Sequence, residues 1–249
     1  MDPWYRKAFR EEYRLLYAHR DEREAATAVG LLGRLTRLEG ERVLDVACGT
    51  GRHLGALGER GAVGVGVDLS ADLLQHAREK GRVVRGDMRS LPFADSSFQG
   101  ALNMFTSFGY FSTDEENAGV LSEISRVVSH RDGWLLLDYL NPRHVLRNLV
   151  PEGRREVGPF TVLEKRRFDR DRRLLIKEVV FDGGAKEGVD RWEERVRLFE
   201  REELESLLLS AGLGVVGSFG GYDGSPLTAE SPRMVLFCSR DPSREGRKR

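Results

Sequence analysis

This sequence of 249 residues has few cysteines and no formal net charge. The only cysteines are Cys48 and Cys238, which have no ligand-like spacing around them and do not predict a disulfide framework. Forty basic and forty acidic side chains leave a formal net charge of +0 at pH 7. Without an overall positive field, neither nucleic acid nor an anionic membrane surface is expected as a partner.

Long apolar runs and metal-binding patterns are also absent from the sequence. No stretch approaches the roughly 18 apolar residues of a membrane-spanning helix, and residues 1–6 are charged and aromatic, so we expect a cytoplasmic protein without a membrane partner. The five histidines are scattered, and no H-E-x-x-H pattern occurs, so no metal is expected. Residues 241–249 are locally basic and are expected to form a disordered tail.

A glycine turn directly follows a short apolar strand in the run from Val43 to Gly51. Gly49 and Gly51 provide backbone freedom and lack a Cβ atom, which allows N–H groups to approach a ligand closely. A helix is predicted from Arg52, and a second strand ends at Asp68, about 20 residues after the loop. An acidic side chain at that place can accept hydrogen bonds from the hydroxyl groups of a ribose.

Two common nucleotide motifs fit this loop poorly. The third glycine position of the dinucleotide fingerprint is occupied by Leu54, which disfavours NAD. The loop continues with Arg52 and His53, whereas a P-loop requires Gly-Lys followed by Ser or Thr. An NAD-dependent oxidoreductase therefore remains only as a less favoured alternative.

The remaining pattern, D-x-A-x-G-x-G from Asp45 to Gly51, resembles the class I S-adenosylmethionine-dependent methyltransferases. Further segments follow in that family's order across about residues 40–141, with a final helix and two strands near 202–239. The matching segments within residues 40–141 are Arg82–Met88, Ser97–Phe105 and Gly133–Asp138. The segment Ser107–Phe111 and an insertion after the fifth strand resemble the subgroup that includes aminosugar N-methyltransferases.

Alternating strands and helices predict an α/β fold with a mostly parallel sheet covered by helices on both faces, and the resemblance implies that this sheet is Rossmann-like and has seven strands. Helices are predicted at 5–18 and 22–38, and the resemblance implies that they are N-terminal lid helices (1–40) ahead of a methyltransferase domain at 41–141 and 200–240. Three antiparallel strands, Phe160–Phe168, Arg173–Phe181 and Arg191–Phe199, are predicted within an inserted β cap at 142–199. This cap could form the surface of a homodimer.

The resemblance implies a set of cofactor-binding residues. Asp68 would bind the ribose, Asp87 the adenine amino group, and Arg52 or Arg20 the carboxylate. The full set is Asp45, Ala47, Cys48, Gly49, Gly51, Arg52, Asp68, Leu69, Asp87, Met88, Asn103, Met104, Phe105, Tyr17 and Arg20. S-adenosylmethionine is the implied cofactor and S-adenosylhomocysteine the product.

No sequence motif identifies the residues that contact the methyl acceptor. Tyr110 and His19 are candidate catalytic bases, because either can take a proton from an amine. Candidate substrate contacts follow strand ends or join the cap: Tyr13, Tyr110, Tyr139, His144, Tyr222 and Arg233.

The sequence thus predicts methyl transfer to N, O or C of a small molecule. A protein that binds the cofactor without catalysis is the alternative. An RNA methyltransferase is disfavoured, because Asn103-Met104-Phe105 departs from the Asn/Asp-Pro-Pro-Tyr/Phe pattern of nucleobase methylation.

Overall fold

The computed structural model describes residues 4–9, 11–17, 21–183 and 190–240. Its helices are α1 (Tyr5–Ala8), α2 (Glu11–Leu16), α3 (Glu22–Leu35), α4 (Arg52–Glu59), α5 (Ala71–Ala77), α6 (Asp114–Val127), α7 (Pro142–Arg147) and α8 (Arg201–Ser210). Its strands are β1 (Arg42–Val46), β2 (Val63–Asp68), β3 (Arg82–Arg85), β4 (Gly100–Asn103), β5 (Trp134–Leu140), β6 (Glu152–Val157), β7 (Phe160–Asp169), β8 (Leu174–Asp182), β9 (Asp190–Arg197), β10 (Gly214–Phe219) and β11 (Arg233–Ser239).

Seven strands form the main sheet in the order β10-β11-β5-β4-β1-β2-β3. Only β11 runs antiparallel to its two neighbours. Val43, Leu44 and Val46 of β1 are fully buried, as expected for a central strand that helices cover on both faces. The predicted seven-stranded, mostly parallel sheet is therefore confirmed. From β1 the chain continues to β2 and β3 on one side of the sheet and then returns to β4 on the other side of β1. Such a reversal of strand order, here between β1 and β4, is where α/β sheets bind ligands.

Side-chain caps begin three of the helices that follow strands of the main sheet. Ser70 accepts a hydrogen bond from the Leu73 N–H at the start of α5, and Thr113 accepts one from the Glu116 N–H at the start of α6. Asn141 caps α7, whose first residue is Pro142. These caps fix where the helices leave the carboxyl ends of the strands.

The N-terminal region differs in detail from the predicted helices. The predicted 5–18 helix is two short helices, because Phe9 leaves the helical region at φ −90° and ψ 70°. The predicted 22–38 helix ends at Leu35, since Thr36 is extended at φ −152°. No helix in the described parts of the chain is long and apolar enough to cross a membrane.

A second sheet, β6-β7-β8-β9, forms the insertion and is antiparallel throughout. The sequence predicted three of its strands and missed β6. Charged residues fill four of the six positions of β6, so the apolar alternation that reveals a half-buried strand is lacking. One face of this cap packs against Ala8 and Leu16 of the lid helices through Val162, Val179, Phe181 and Trp192.

Glu164 lies nearly buried on the same face of the cap, among three cations. Although burial alone would raise the pKa of Glu164, its contacts with Lys177, Arg166 and Arg155 hold that pKa below its ordinary value. Because the lowered pKa belongs to the folded state, this stabilisation is present above the ordinary pKa of glutamate and is lost as the pH falls.

We expect Glu164→Gln to lower the free energy of unfolding at pH 7. The deficit against the wild type should shrink at pH 3, because protonation of Glu164 becomes favourable first in the unfolded chain and then in the folded protein, and urea unfolding at both pH values measures it. Glu152→Gln is the control, because the Glu152 side chain is 77% exposed and its ion pair with Lys165 is long, at 3.9 Å. An equal deficit at both pH values would contradict this role of Glu164.

Close packing beside β4 also requires a residue without a Cβ atom. Gly100 pairs with Trp134 of β5, and a Cβ atom at Gly100 would overlap the buried indole. Gly100→Ala should therefore lower the free energy of unfolding by about 1–3 kcal/mol. Gly119→Ala is the matched control, because a Cβ there meets nothing within 4 Å. Equal urea midpoints for Gly100→Ala and the wild type would contradict the prediction.

Candidate cofactor and active site

A cleft lies at the carboxyl ends of β1, β2 and β4, beneath the lid helices. It has two chambers that share the walls Tyr13, Ala47, Gly49, Leu73 and Ser107. Asp68, Leu69, Asp87, Met88 and Tyr110 line one of them, the Asp68 chamber. Cys48, Arg52, Met104, Phe105 and Tyr17 line the other, the Phe105 chamber. Eleven of the fifteen residues expected to bind the cofactor thus line one continuous cleft.

The loop between β1 and α4 forms the floor shared by both chambers. Ala47, Gly49 and Gly51 have left-handed φ angles of 60°, 54° and 75°, so the loop turns sharply before Arg52 begins α4. A Cβ atom added at Gly49 would meet only Leu73, at 4.0 Å, so the space beside Gly49 is open. This geometry explains why glycine is needed at position 49, both for the φ angle and for a ligand's approach.

Asp68, at the end of β2, is bonded to that loop. Its Oδ2 accepts a hydrogen bond from the Gly49 N–H at 2.8 Å, and its Oδ1 accepts one from the Ser70 N–H at 2.8 Å. Burial raises the pKa of Asp68, whereas the two N–H donors act in the opposite direction. Each carboxylate oxygen retains capacity for a second hydrogen bond. Asp68 can therefore hold the loop and accept from a ligand hydroxyl at once.

Asp87 lies on the wall of the Asp68 chamber with part of its side chain exposed. Arg89 donates to both of its carboxylate oxygens, at 3.1 and 2.8 Å, and also pairs with Glu116 at 2.6 Å. This ion pair fixes the orientation of the Asp87 carboxylate. The neighbouring Met88 lines the same wall.

The Phe105 chamber combines an aromatic wall with cations. The Arg52 guanidinium lies 3.9 Å from the centroid of the Phe105 ring and pairs with Glu24 at 3.0 Å. Arg52 therefore reaches the cleft, although Glu24 already neutralises its charge. Burial raises the pKa of Cys48 far above its ordinary value, so its thiol stays protonated and acts as a small packing group.

Two predicted cofactor residues, Asp45 and Asn103, are buried below the cleft instead of lining it. The Asn103 amide donates to the Val46 carbonyl at 3.1 Å. Both oxygens of Asp45 lack a hydrogen-bond partner within the described chain, and its Oδ2 lies 3.7 Å from the His53 Nδ1. His53 lines the Phe105 chamber and was missed as a site residue, although its position directly after the glycine loop was a signal.

Aromatic side chains from the lid helices close the Asp68 chamber from above. Phe9 and Tyr13 are 4.8 Å apart between ring centroids, and Phe9 stacks on Tyr110 at 5.7 Å. Tyr110 thus lies in the Asp68 chamber and not beside Phe105. Tyr5 and Phe9, which sequence analysis missed, line the same chamber. His19 and Arg20 lie outside the described residues.

Four of the six expected substrate contacts do not line either chamber. Tyr139 is fully buried in the core, where its hydroxyl donates to the Arg197 carbonyl, because side chains alternate along β5. His144 lies beside the Glu230 carbonyl, 2.8 Å from its oxygen. Tyr222 and Arg233 both bind the carboxylate of Asp138, behind Phe105. Of the six, only Tyr13 and Tyr110 reach the cleft.

The polar groups of the cleft fit a nucleoside joined to an amino acid. Asp68 supplies a hydroxyl acceptor in one chamber, and the unpartnered oxygens of Asp45 lie beneath the glycine loop that borders the other. Gly49 lines both chambers, and the space beside it is open. No group of three or more His, Cys, Asp or Glu side chains that could hold a metal ion occurs within the described ranges.

Comparison with known proteins agrees with this geometry. A methyltransferase-domain family model matches residues 43–131. An N,N-dimethyltransferase of dTDP-3-amino-3,6-dideoxy-alpha-D-glucopyranose from Streptomyces fradiae is 31% identical and covers 84% of each chain. An N,N-dimethyltransferase of dTDP-3-amino-3,4,6-trideoxy-alpha-D-glucopyranose from Streptomyces venezuelae is 29% identical over 88% of this chain and 96% of its own.

Solved structures share the fold. DesVI of Streptomyces venezuelae superposes with a TM-score of 0.67 at 26% identity, over 91% of this chain and 95% of its own. The CcbJ methyltransferase of Streptomyces caelestis has a TM-score of 0.75 at 19% identity, over 86% of this chain and 88% of its own. This chain belongs to the class I S-adenosylmethionine-dependent methyltransferases, is similar to their aminosugar N-methyltransferases, and is an enzyme that uses S-adenosylmethionine as its methyl donor.

Proposed function

We propose that this enzyme methylates the amino group of a small molecule, and that an amino sugar carried on a nucleotide is the favoured acceptor class. The observation that carries the proposal is the pair of aminosugar N,N-dimethyltransferases, whose similarity extends over 84% and 88% of this chain. A cypemycin N-terminal methyltransferase from Streptomyces, 30% identical over 82% of this chain, also supports a nitrogen acceptor.

In this proposal the two chambers divide the cofactor between them. Asp68 accepts hydrogen bonds from the ribose, while Leu69, Asp87 and Met88 hold the adenine in the Asp68 chamber. Ala47, Cys48, Gly49, Arg52, Met104, Phe105 and Tyr17 surround the methionine end. Gly51, which packs against Ala77, and the buried Asp45 and Asn103 support them from outside the two chambers.

S-adenosylmethionine supplies a methyl group that is already activated by a positively charged sulfur. The chain therefore needs to align and desolvate the acceptor more than to activate the methyl group. The aromatic lid excludes water above the Asp68 chamber, and the Phe105 wall limits the direction of approach. His19 and Tyr110 remain our proposals for the group that takes the amine proton, Tyr110 from the Asp68 chamber, whose walls Tyr13 and Ser107 also line the Phe105 chamber.

The experiment is an acceptor panel with release of S-adenosylhomocysteine as the readout. It contains dTDP-3-amino sugars, a peptide with a free N-terminus, a fatty acid and a demethylmenaquinone. Turnover with the amino sugars is expected, with one or two methyl groups on nitrogen by mass spectrometry. Turnover with only the fatty acid or the quinone would overturn the N-acceptor proposal, and turnover with only the peptide would replace its sugar part.

A cytoplasmic location and a homodimer formed through the cap also remain proposals. The edge strands β6 and β9 offer backbone groups that a second copy can pair with, which supports an interface at the cap. Light scattering coupled to size exclusion should then give twice the mass of 28.1 kDa. A monomeric mass at micromolar concentration would contradict the dimer.

A further inference from the structure

Asp138 is a fully buried carboxylate directly behind the wall of the Phe105 chamber. Its Oδ2 accepts hydrogen bonds from the Phe105 N–H at 2.9 Å, the Tyr222 hydroxyl at 2.5 Å and the Arg233 guanidinium at 2.8 Å. Its backbone carbonyl accepts one from the Thr106 N–H at 2.9 Å. The backbone N–H groups of Phe105 and Thr106, in the turn after β4, therefore both donate to Asp138.

The turn that Asp138 holds has an unfavourable backbone conformation. Phe105 and Thr106 have φ angles of 58° and 56°, so two successive residues with side chains occupy the left-handed region. Such a conformation is unfavourable for residues with a Cβ atom and persists only where the surroundings impose it. Here the imposing contacts are the hydrogen bonds to Asp138.

Charged groups on three other elements reinforce that arrangement. Arg233 bridges Asp138 and Glu24, at 2.8 and 2.9 Å, and Glu24 in turn pairs with Arg52. The two guanidinium groups lie 3.9 and 4.3 Å from the centroid of the Phe105 ring. The Phe105 ring is thus fixed both through its backbone and through cation–π contacts.

We propose that Asp138, Tyr222 and Arg233 are positioning residues for methyl transfer, which hold the Phe105–Thr106 turn and thereby set the wall against which donor and acceptor meet. The inference rests on the proposed function only in placing methyl transfer in the Phe105 chamber. It also gives Tyr222 and Arg233 a role different from the substrate contact expected from the sequence. Because misplacement by about 1 Å can cost up to roughly a hundredfold in rate, kcat is the quantity that should respond.

Tyr222→Phe is the test variant, because it removes one hydrogen bond to Asp138 and keeps the ring. Tyr139→Phe is a matched control, because it also removes a buried tyrosine hydroxyl. Tyr139 is next to Asp138 in the chain, but its hydroxyl bonds to the backbone of Arg197 and Phe199 in the core. Both variants are assayed with whichever acceptor the panel identifies. We expect kcat to fall roughly 10- to 100-fold in Tyr222→Phe and to stay within about twofold in Tyr139→Phe.

Binding of S-adenosylhomocysteine, measured by calorimetry, should change less than kcat in Tyr222→Phe. Adding Thr106→Asn, a residue that tolerates the left-handed region, should restore part of the lost kcat. Unchanged kcat in Tyr222→Phe, or an equal loss in the Tyr139→Phe control, would overturn the inference.

Hydrogen exchange gives a readout that does not depend on turnover. The N–H groups of Phe105 and Thr106 should exchange faster in Tyr222→Phe than in the wild type and Tyr139→Phe, as measured by mass spectrometry of a peptide spanning them. If Tyr222→Phe does not fold, Arg233→Lys serves as the second variant, with the same expected pattern. Unchanged exchange would contradict the inference even if every amine in the panel failed, whereas failure of the amines alone would overturn only the proposed function.

Discussion

Asp68→Ala is expected to raise the dissociation constant for S-adenosylmethionine by roughly 5- to 150-fold, or about 1–3 kcal/mol. The variant removes the proposed acceptor of the ribose hydroxyls. It also removes the partner of the Gly49 and Ser70 N–H groups, so the glycine loop loses the contact that ties it to β2. Isothermal titration calorimetry with S-adenosylmethionine and S-adenosylhomocysteine measures the change.

Two variants separate loss of the ligand contact from general damage. Asp68→Asn keeps one oxygen acceptor and should fall between the wild type and alanine. Asp72→Ala replaces an exposed aspartate in the following helix and should leave affinity unchanged. An unchanged dissociation constant for Asp68→Ala would remove the assignment of this carboxylate to the cofactor.

Gly49→Ala should weaken cofactor binding by tenfold or more and lower the free energy of unfolding by about 1–2 kcal/mol. The φ angle of 54° imposes left-handed strain on any residue with a Cβ atom, and the added methyl group would occupy the open space beside the loop. Calorimetric titration and urea unfolding measure the two effects separately.

Gly55→Ala is the matched control for Gly49→Ala. Gly55 lies in α4, where a Cβ atom meets nothing within 4 Å, and alanine there should stabilise the helix by about 0.5–1 kcal/mol without changing affinity. If Gly49→Ala bound the cofactor as tightly as Gly55→Ala, the proposed path of the ligand past Gly49 would be wrong.

Local signals predicted most of the cleft. The glycine loop and Asp68 carry strong turn and strand-end signals, and the structure joins them by a direct hydrogen bond. Ser70 and Asn141 follow capping rules that depend only on near neighbours in sequence. Such features can be read from a single sequence, because the physical interaction that creates them is local.

Features that depend on distant packing could not be predicted in this way. Sequence placed Tyr139 and Tyr222 near the cleft, but strand alternation turns Tyr139 into the core and the partnership with Asp138 holds Tyr222 behind Phe105. The polar strand β6 has no apolar pattern of its own and exists through pairing with β7. These outcomes depend on contacts between residues as far as 84 positions apart.

A thermal-unfolding scan with S-adenosylmethionine, S-adenosylhomocysteine, NAD and NADP tests the central claim most directly. At about 100 times the dissociation constant, binding to the native state adds about 2.7 kcal/mol, which raises the midpoint by roughly 5–10 °C for a chain of this size. A rise with only the two adenosyl-sulfur ligands is the predicted result. A rise with NAD alone, or no rise with any of the four, would contradict a cleft built for S-adenosylmethionine.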